Sequence, residues 1–298
     1  MNLFEDGMPF FKGNLHCHTT ISDGALSPEE VAQLYQGFGY DLLAITDHRH
    51  FSGASCFENG MLLLSGIEVD FTLPHEALHI VGIGMGEEYI YNKSQWRDPQ
   101  SCIDGIRKHG GCAIVAHPVW SLNTPATLVG LHDVTAAEIY NSYSTIPWNG
   151  DRADSSALLD LVATRGAPYN VVASDDSHGY DGEVGEGFTM VQAEALTPNA
   201  VMQALRTGHF YASQGPRFEQ IVLEEDRLSI RCSPVETVIF YSNVPWAYGR
   251  CITSSEQVTA EYRLGYNFGE TFLRCQIIDQ NGRSAWSNPI LLPSYDHP

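Results

Sequence analysis

The chain has 298 residues, 43% of them hydrophobic, enough for one large domain or a large and a small one. Its 36 acidic against 16 basic side chains give a formal charge of −20, which opposes binding to long nucleic acid, where clustered Lys and Arg must displace counterions. No apolar run reaches the ~18 residues of a membrane span, so no membrane partner is expected.

The N-terminal MNLFEDGMPFFKG lacks the basic-then-apolar order of a signal peptide. Seven scattered cysteines, without a C-x-x-C pair, read as reduced thiols, so a cytoplasmic location is expected. Strands are predicted over 10–17, 41–46, 61–70, 79–85, 112–116, 136–141, 169–174 and 187–193. Ser27-Pro28-Glu29-Glu30 opens a helix with a serine cap, a first-turn proline and a glutamate placed for a capping box. That helix should stop near Gly37 or Gly39; others are predicted over 99–109, 151–165 and 198–207. Such alternation argues for an α/β fold, either a parallel sheet or a barrel. From about residue 215 the pattern changes to short alternating runs separated by turns, with Asp279-Gln280-Asn281-Gly282 as a hairpin turn. This predicts a small antiparallel β-sandwich, with a boundary at Gln214-Gly215-Pro216 that divides the chain into 1–214 and 215–298.

The densest chemistry lies in Asn14 to Asp23, NLHCHTTISD. His16 and His18 alternate on a predicted strand, so both imidazoles leave one face. Two neutral imidazoles aimed at one point suit a divalent transition metal. Asp23, in a Ser-Asp-Gly turn, can add a carboxylate. Asp47-His48, Glu68, His117 and Asp176-Ser177-His178 close further predicted strands, and His79 lies on another. Residues at the C-terminal ends of strands are where a β/α barrel builds its site. The glycine-rich phosphate loop of a doubly wound sheet is missing. Buried imidazoles and carboxylates without partners each cost several kcal/mol (roughly 2–7), a cost that shared cations remove.

His75-Glu76-Ala77-Leu78-His79 matches the H-E-x-x-H of zinc proteases, but that chemistry needs a helix. Here Leu73-Pro74 precedes it and Ile80-Val81-Gly82-Ile83-Gly84 follows, which reads as loop into strand. Cys17 reads as buried packing between the two histidines. Arg49 and His50 enter a rim loop and are candidates to grip a phosphate or protonate a leaving group, with a solvated loop as the plain alternative. Glu138 and Asn141 are expected to line a pocket, and Trp120, Tyr140, Tyr143 and Trp148 to form an apolar wall or core.

The motifs, in order, resemble the PHP (polymerase and histidinol phosphatase) superfamily of metal-dependent phosphoesterases. They are Leu15-His16-Cys17-His18 with Ser22-Asp23-Gly24, Thr46-Asp47-His48, Gly66-Ile67-Glu68, His79-Ile80-Val81-Gly82, Ala116-His117-Pro118 and Ser174-Asp175-Asp176-Ser177-His178. Leu205-Arg206-Thr207-Gly208, Tyr211-Ala212-Ser213 and Ala285-Trp286-Ser287-Asn288-Pro289 resemble the β-rich C-terminal region of a branch related to carbaryl hydrolase. The resemblance implies a distorted (β/α)7 TIM-like barrel with the small β-sandwich appended. It also implies two to three divalent ions (Zn, Mn or Fe). His16, His18, Glu68 and Asp176 would hold one ion; Glu68 would bridge to a second, shared with His79 and His117. Asp23, His48 and His178 would hold a third. His75 is a substitute for His79, and Asp47 and Asp175, next to ligands in sequence, would orient imidazoles or make only backbone hydrogen bonds.

The chemistry so implied is attack by a metal-bridging hydroxide on a small phosphate ester, with no side-chain nucleophile. Nucleoside phosphates and short oligonucleotide 5′ ends fall in that class. A carbamate or carboxylic ester hydrolase using the same ions is the alternative. A non-catalytic metal-binding scaffold is the third reading, disfavoured because structural zinc sites are closed by four protein ligands. The oligomeric state is not readable from the sequence.

Overall fold

The computed structural model describes residues 1–56, 60–86, 94, 96–265 and 269–292. Its strands are β1 (Phe10–Asn14), β2 (Leu42–Ala44), β3 (Ser55–Cys56), β4 (Leu62–Leu64), β5 (Gly66–Thr72), β6 (Ala77–Ile83), β7 (Cys112–Val115), β8 (Ala136–Asn141) and β9 (Asn170–Ser174). They continue with β10 (Phe188–Gln192), β11 (Phe210–Ser213), β12 (Phe218–Glu224), β13 (Arg227–Tyr241), β14 (Cys251–Arg263), β15 (Phe272–Ile278), β16 (Ser284–Trp286) and β17 (Ile290–Leu291). The helices are α1 (Pro28–Gly37), α2 (Pro99–Lys108), α3 (Pro125–Val129), α4 (Ser156–Thr164) and α5 (Pro198–Thr207). α1 starts as its sequence dictates: Ser27 accepts the Glu30 amide, and the Glu30 carboxylate accepts the Ser27 amide.

Two sheets carry the α/β part. β5-β6-β7-β8-β9 form one, and β1, β2 and β4 join β10 and β11 in the other. β1-β2, β2-β4, β7-β8 and β8-β9 pair in parallel, whereas β5-β6 and β6-β7 are antiparallel. The strand predicted over 61–70 is two strands, broken at Ser65, whose hydroxyl donates to the Met85 carbonyl at 2.7 Å. β4 stays with β1 and β2, and β5 turns into the five-stranded sheet. Glu68 therefore stands inside β5, not at a strand end. Predicted helix 151–165 is shorter, because residues 153–154 are extended against Tyr140.

Past their last ladder positions, the chains leaving β1, β2 and β9 meet. Single parallel bridges join Cys17 to Ser177 and His48 to Glu68. These link β1, β2, β5, β6, β7, β8 and β9 into a ring of pairings. The architecture is α/β, but a regular strand-helix repeat is interrupted: a short turn, not a helix, joins β5 to β6.

The C-terminal strands are antiparallel, as expected, yet they extend the large sheet through the β11-β16 pairing. β13 pairs with β14 along one edge, and with β12 and then β15 along the other. These strands close over their own apolar cluster, which includes Phe218, Ile221, Val238, Phe240 and Ile277. Phe4 and Tyr211 join that cluster, and Leu3 donates its amide to the Ile221 carbonyl at 3.0 Å. Trp286 and Ala212 instead pack into the cluster between the five-stranded sheet and its helices.

Candidate metal centre

These tails deliver the site. His16 and His18 follow β1 and leave one face of the chain; Asp176 donates its amide to the His16 carbonyl at 2.9 Å, and His18 to that of Ser177 at 3.0 Å. On β5 and β6, Asp70 faces His79 in register, so Glu68, two residues from Asp70, shares that face. His117 follows β7. His117 and Asp176 have positive φ (29° and 53°), backbone states that cost ~1–3 kcal/mol each and persist where the surroundings impose them.

Four donor atoms converge. Nε2 of His16 and Nε2 of His18 are 3.2 Å apart, and each is 3.1 Å from Asp176 Oδ1. Glu68 Oε2 stands 3.4 Å and 3.2 Å from the same two nitrogens and 3.0 Å from His48 Nδ1. Its other oxygen, Oε1, lies 2.8 Å from His79 Nδ1 and 3.5 Å from His117 Nε2. Donors ~2.0–2.1 Å from one tetrahedral ion stand roughly 3.3–3.4 Å apart. Glu68 Oε2, Asp176 Oδ1 and His48 Nδ1 are buried with no hydrogen-bond partner, so their lone pairs point at shared space. The donor set therefore fits divalent ions. A more open group, His18, Asp23, His48 and His178, also brings one ligand atom from each residue within 4.8 Å of the others. Its Asp23 carboxylate is the exposed member, 3.7 Å from His178 Nε2.

The electrostatics agree. Burial opposes charge on His18, but the neighbouring Asp176 and Glu68 carboxylates outweigh it and raise the pKa to about 9. Burial likewise opposes charge on His16, yet Asp176, Glu68 and Glu138 hold it well above the ordinary imidazole range. Burial would raise Glu68, but His16 and His79 bring it well below the usual carboxylate range. His48 moves down, mainly through burial.

His79 lies in strand β6, and His75 is exposed, so the metal-protease geometry is not formed and His75 does not replace His79. Glu138 does not line the pocket. It is 1% exposed behind the site, with Oε1 2.9 Å from His16 Nδ1 and Oε2 accepting the His117 amide at 2.7 Å. Asn141 donates to both Glu138 and Asp176. Asp47 and Asp175 do not orient imidazoles directly. Asp47 accepts Thr19 and Ser22, and Asp175 accepts Tyr40, Ser142 and the amides of 185–187. Arg49 pairs with Asp70, and His50 Nδ1 lies 2.8 Å from the His48 carbonyl; neither lines the cavity over the donors. Sequence reasoning also missed Ser121, 2.9 Å from His117 Nδ1, and Asn149. A buried acid between apolar neighbours in AAEIYN was the one available signal for Glu138's role.

The cavity over the donors measures about 210 Å³ and is walled by Trp120, Tyr143, Ser144, Trp148 and Asn149. Tyr140 is not part of that wall; it stacks on Trp286 at 5.8 Å. A roomier groove of about 420 Å³ lies beside α5, lined in part by Glu5, Gln203 and His209. It coincides with none of the donor clusters found among the described residues, so chemistry rather than size selects the site.

No protein-family model matches the chain. In structure it is similar to a two-domain protein from Bacteroides vulgatus containing a predicted PHP-like metal-dependent phosphoesterase. That likeness has a TM-score of 0.54 and 14% identity, and covers 97% of this chain and 96% of that one. In sequence, 83 residues (26% of this chain) are 34% identical to a 5′-3′ exoribonuclease of Haemophilus influenzae, covering 30% of it. A further 77-residue match (24% of this chain) is 38% identical to a 3′,5′-nucleoside bisphosphate phosphatase of Chromobacterium violaceum, covering 27% of it. The chain thus matches less than a third of either curated relative's length. The chain shares the fold of that two-domain protein, whose PHP-like unit matches the resemblance the motifs led us to expect. The likeness to the carbaryl hydrolase branch rests on sequence motifs alone.

Proposed function

We propose that this protein is a metal-dependent hydrolase of small phosphate esters. The observation that carries the reading is the convergence of His16, His18, Glu68 and Asp176, with buried lone pairs on Glu68 and Asp176 left unpartnered. In this reading His16, His18, Glu68 and Asp176 would hold one ion, His79 and His117 would share a second with Glu68, and Asp23, His48 and His178 would hold a third. Bound divalent ions supply an ionised water near neutral pH and neutralise phosphoryl oxygens. The chain supplies orientation. Glu138 fixes the proton of His16 on Nδ1, leaving Nε2 free. The Asp176 carbonyl, 2.8 Å from Nδ1 of His178, does the same there. No side-chain nucleophile is required: Cys17 is fully buried, and burial raises its thiol pKa well above the ordinary range.

The accessory role of 215–298 beside a hydrolase unit of 1–214 belongs to the same reading, supported by the apolar cluster that the C-terminal strands build mostly from their own residues. Location in the cytoplasm fits the free cysteines among the described residues. No described helix is long and apolar enough to cross a membrane. The deciding experiment measures metal content, then screens phosphomonoesters, phosphodiesters and aryl carbamates on the metal-loaded chain. Phosphomonoester turnover with two to three bound ions is the expected result. Carbamate turnover alone, or protein that takes up no metal, defeats the proposal.

A further inference from the structure

We infer that the cavity selects a phosphate ester whose leaving group is a planar ring close to phosphorus, and that it has no seat for a second phosphate. This rests on the phosphoesterase reading above. Aromatic walls flank the donors on two sides. Trp120 stands edge-on to His117 at 4.8 Å and to His79 at 5.9 Å. Tyr143 stacks on His178 at 4.3 Å with planes 17° apart, and Trp148 meets Tyr143 edge-on at 5.7 Å.

One amide fixes both walls. Asn149 Oδ1 accepts the Trp120 indole N–H at 3.1 Å, and its Nδ2 donates to the Tyr143 carbonyl at 3.1 Å. The rings touch the imidazoles themselves, so a flat group set against them would lie close to a phosphoryl group held at the donors. The 72% exposure of the Trp148 side chain leaves a large apolar face for an incoming ring to cover. At about 210 Å³ the space is below the ~300–1,000 Å³ of drug-sized sites.

Charge sets the second half of the inference. The described lining includes Asp23, Glu68 and Asp176 and no Lys or Arg. Arg49, the rim candidate from the sequence, is committed to Asp70. With no Lys or Arg in the described lining, bound cations are the main source of positive charge in the cavity, and a phosphate away from them meets indole, Ser144 and Asn149.

The test compares benzyl phosphate with cyclohexylmethyl phosphate on the metal-loaded full chain. The two esters match in charge and nearly in leaving-group acidity, and differ in planarity. A benzyl preference of about tenfold in kcat/KM is expected, and Trp148→Ala should bring the ratio toward one. As a readout independent of turnover, benzylphosphonate should quench tryptophan fluorescence at concentrations where methylphosphonate does not. A nucleoside 3′,5′-bisphosphate should be a poorer substrate than the 5′-monophosphate. A benzyl ratio of one, equal quenching by both phosphonates, or a gain from the second phosphate each overturns the inference. Failure to cleave any phosphate ester with ions bound removes the phosphoesterase reading instead, and the fluorescence comparison still decides whether the walls recognise a ring.

Discussion

The Glu138 carboxylate lies 2.9 Å from Nδ1 of His16, and its second oxygen takes the backbone amide of His117. One buried acid thereby orients donors that come from β1 and β7, on opposite sides of the ring of strands. Carboxylates placed this way fix imidazole tautomer and angle, and their loss costs metal affinity about 10–100-fold. Glu138→Gln should lower metal affinity within that range while retaining the fold, as read by competition with a chromophoric chelator. Unchanged affinity would remove Glu138 from the site.

Metal removal should destabilise the protein. Without ions, the buried Glu68 and Asp176 carboxylates lose the cations that would balance them. Ions present at about 1,000 times their Kd add about 4 kcal/mol. At roughly 2–4 °C per kcal/mol for chains of 150–250 residues, chelation should lower Tm by about 8–16 °C. A Tm indifferent to chelator and to added Zn or Mn would show that these donors hold no ion.

Metal uptake should expel protons. In the metal-free protein His18 titrates at about 9, above its ordinary value of 6.5, so it remains protonated at pH 7.5. A proton held more tightly by the folded chain stabilises it fully below about 6.5, and that contribution is lost as pH rises through 9. An ion must displace this proton, so apparent affinity should rise between pH 6.5 and 9 and level off above. Titration in weak buffer at pH 7.5 should acidify the solution; no acidification would contradict protonated His18.

The C-terminal strands are bolted to α4. Arg274 on β15, almost fully buried, gives Nε to Asp160 Oδ1 at 2.9 Å and Nη2 to Oδ2 at 2.8 Å. Asp160→Asn strands a buried guanidinium and should cost about 3–5 kcal/mol in urea unfolding. Arg274→Met leaves only the better-hydrated Asp160 unpaired and should cost less. The reverse order would mean the pair is not the tie described.

Trp286 offers a packing test. It stacks on Tyr140, and its indole Nε1 has no hydrogen-bond partner. Trp286→Ala should cost about 3–5 kcal/mol through the cavity left behind. Trp286→Phe, which gives up no indole hydrogen bond, should cost well under half of that. Equal losses would point to a missed partner for the indole.

Much of this protein was legible before folding. Caps, turns and periodicity placed α1, α2, α5 and most strands, because they act over a few residues. The chemistry of His16, His18, Glu68, His117 and Asp176 was legible too, because clustered imidazoles and acids in an apolar setting have few bland uses. What the sequence could not supply was which groups meet. The break at Ser65 sends Glu68 into a second sheet, the parallel bridges bring His48 to Glu68 and Cys17 to Ser177, and β16 joins the C-terminal strands to β11. Asp47 and Asp175, beside candidate ligands in sequence, hold loops, whereas Glu138, distant from His16, orients it. Local propensity reaches one turn or one hairpin. Long-range pairing is chosen by the burial and hydrogen bonding of the whole chain, and only that choice assembles the site.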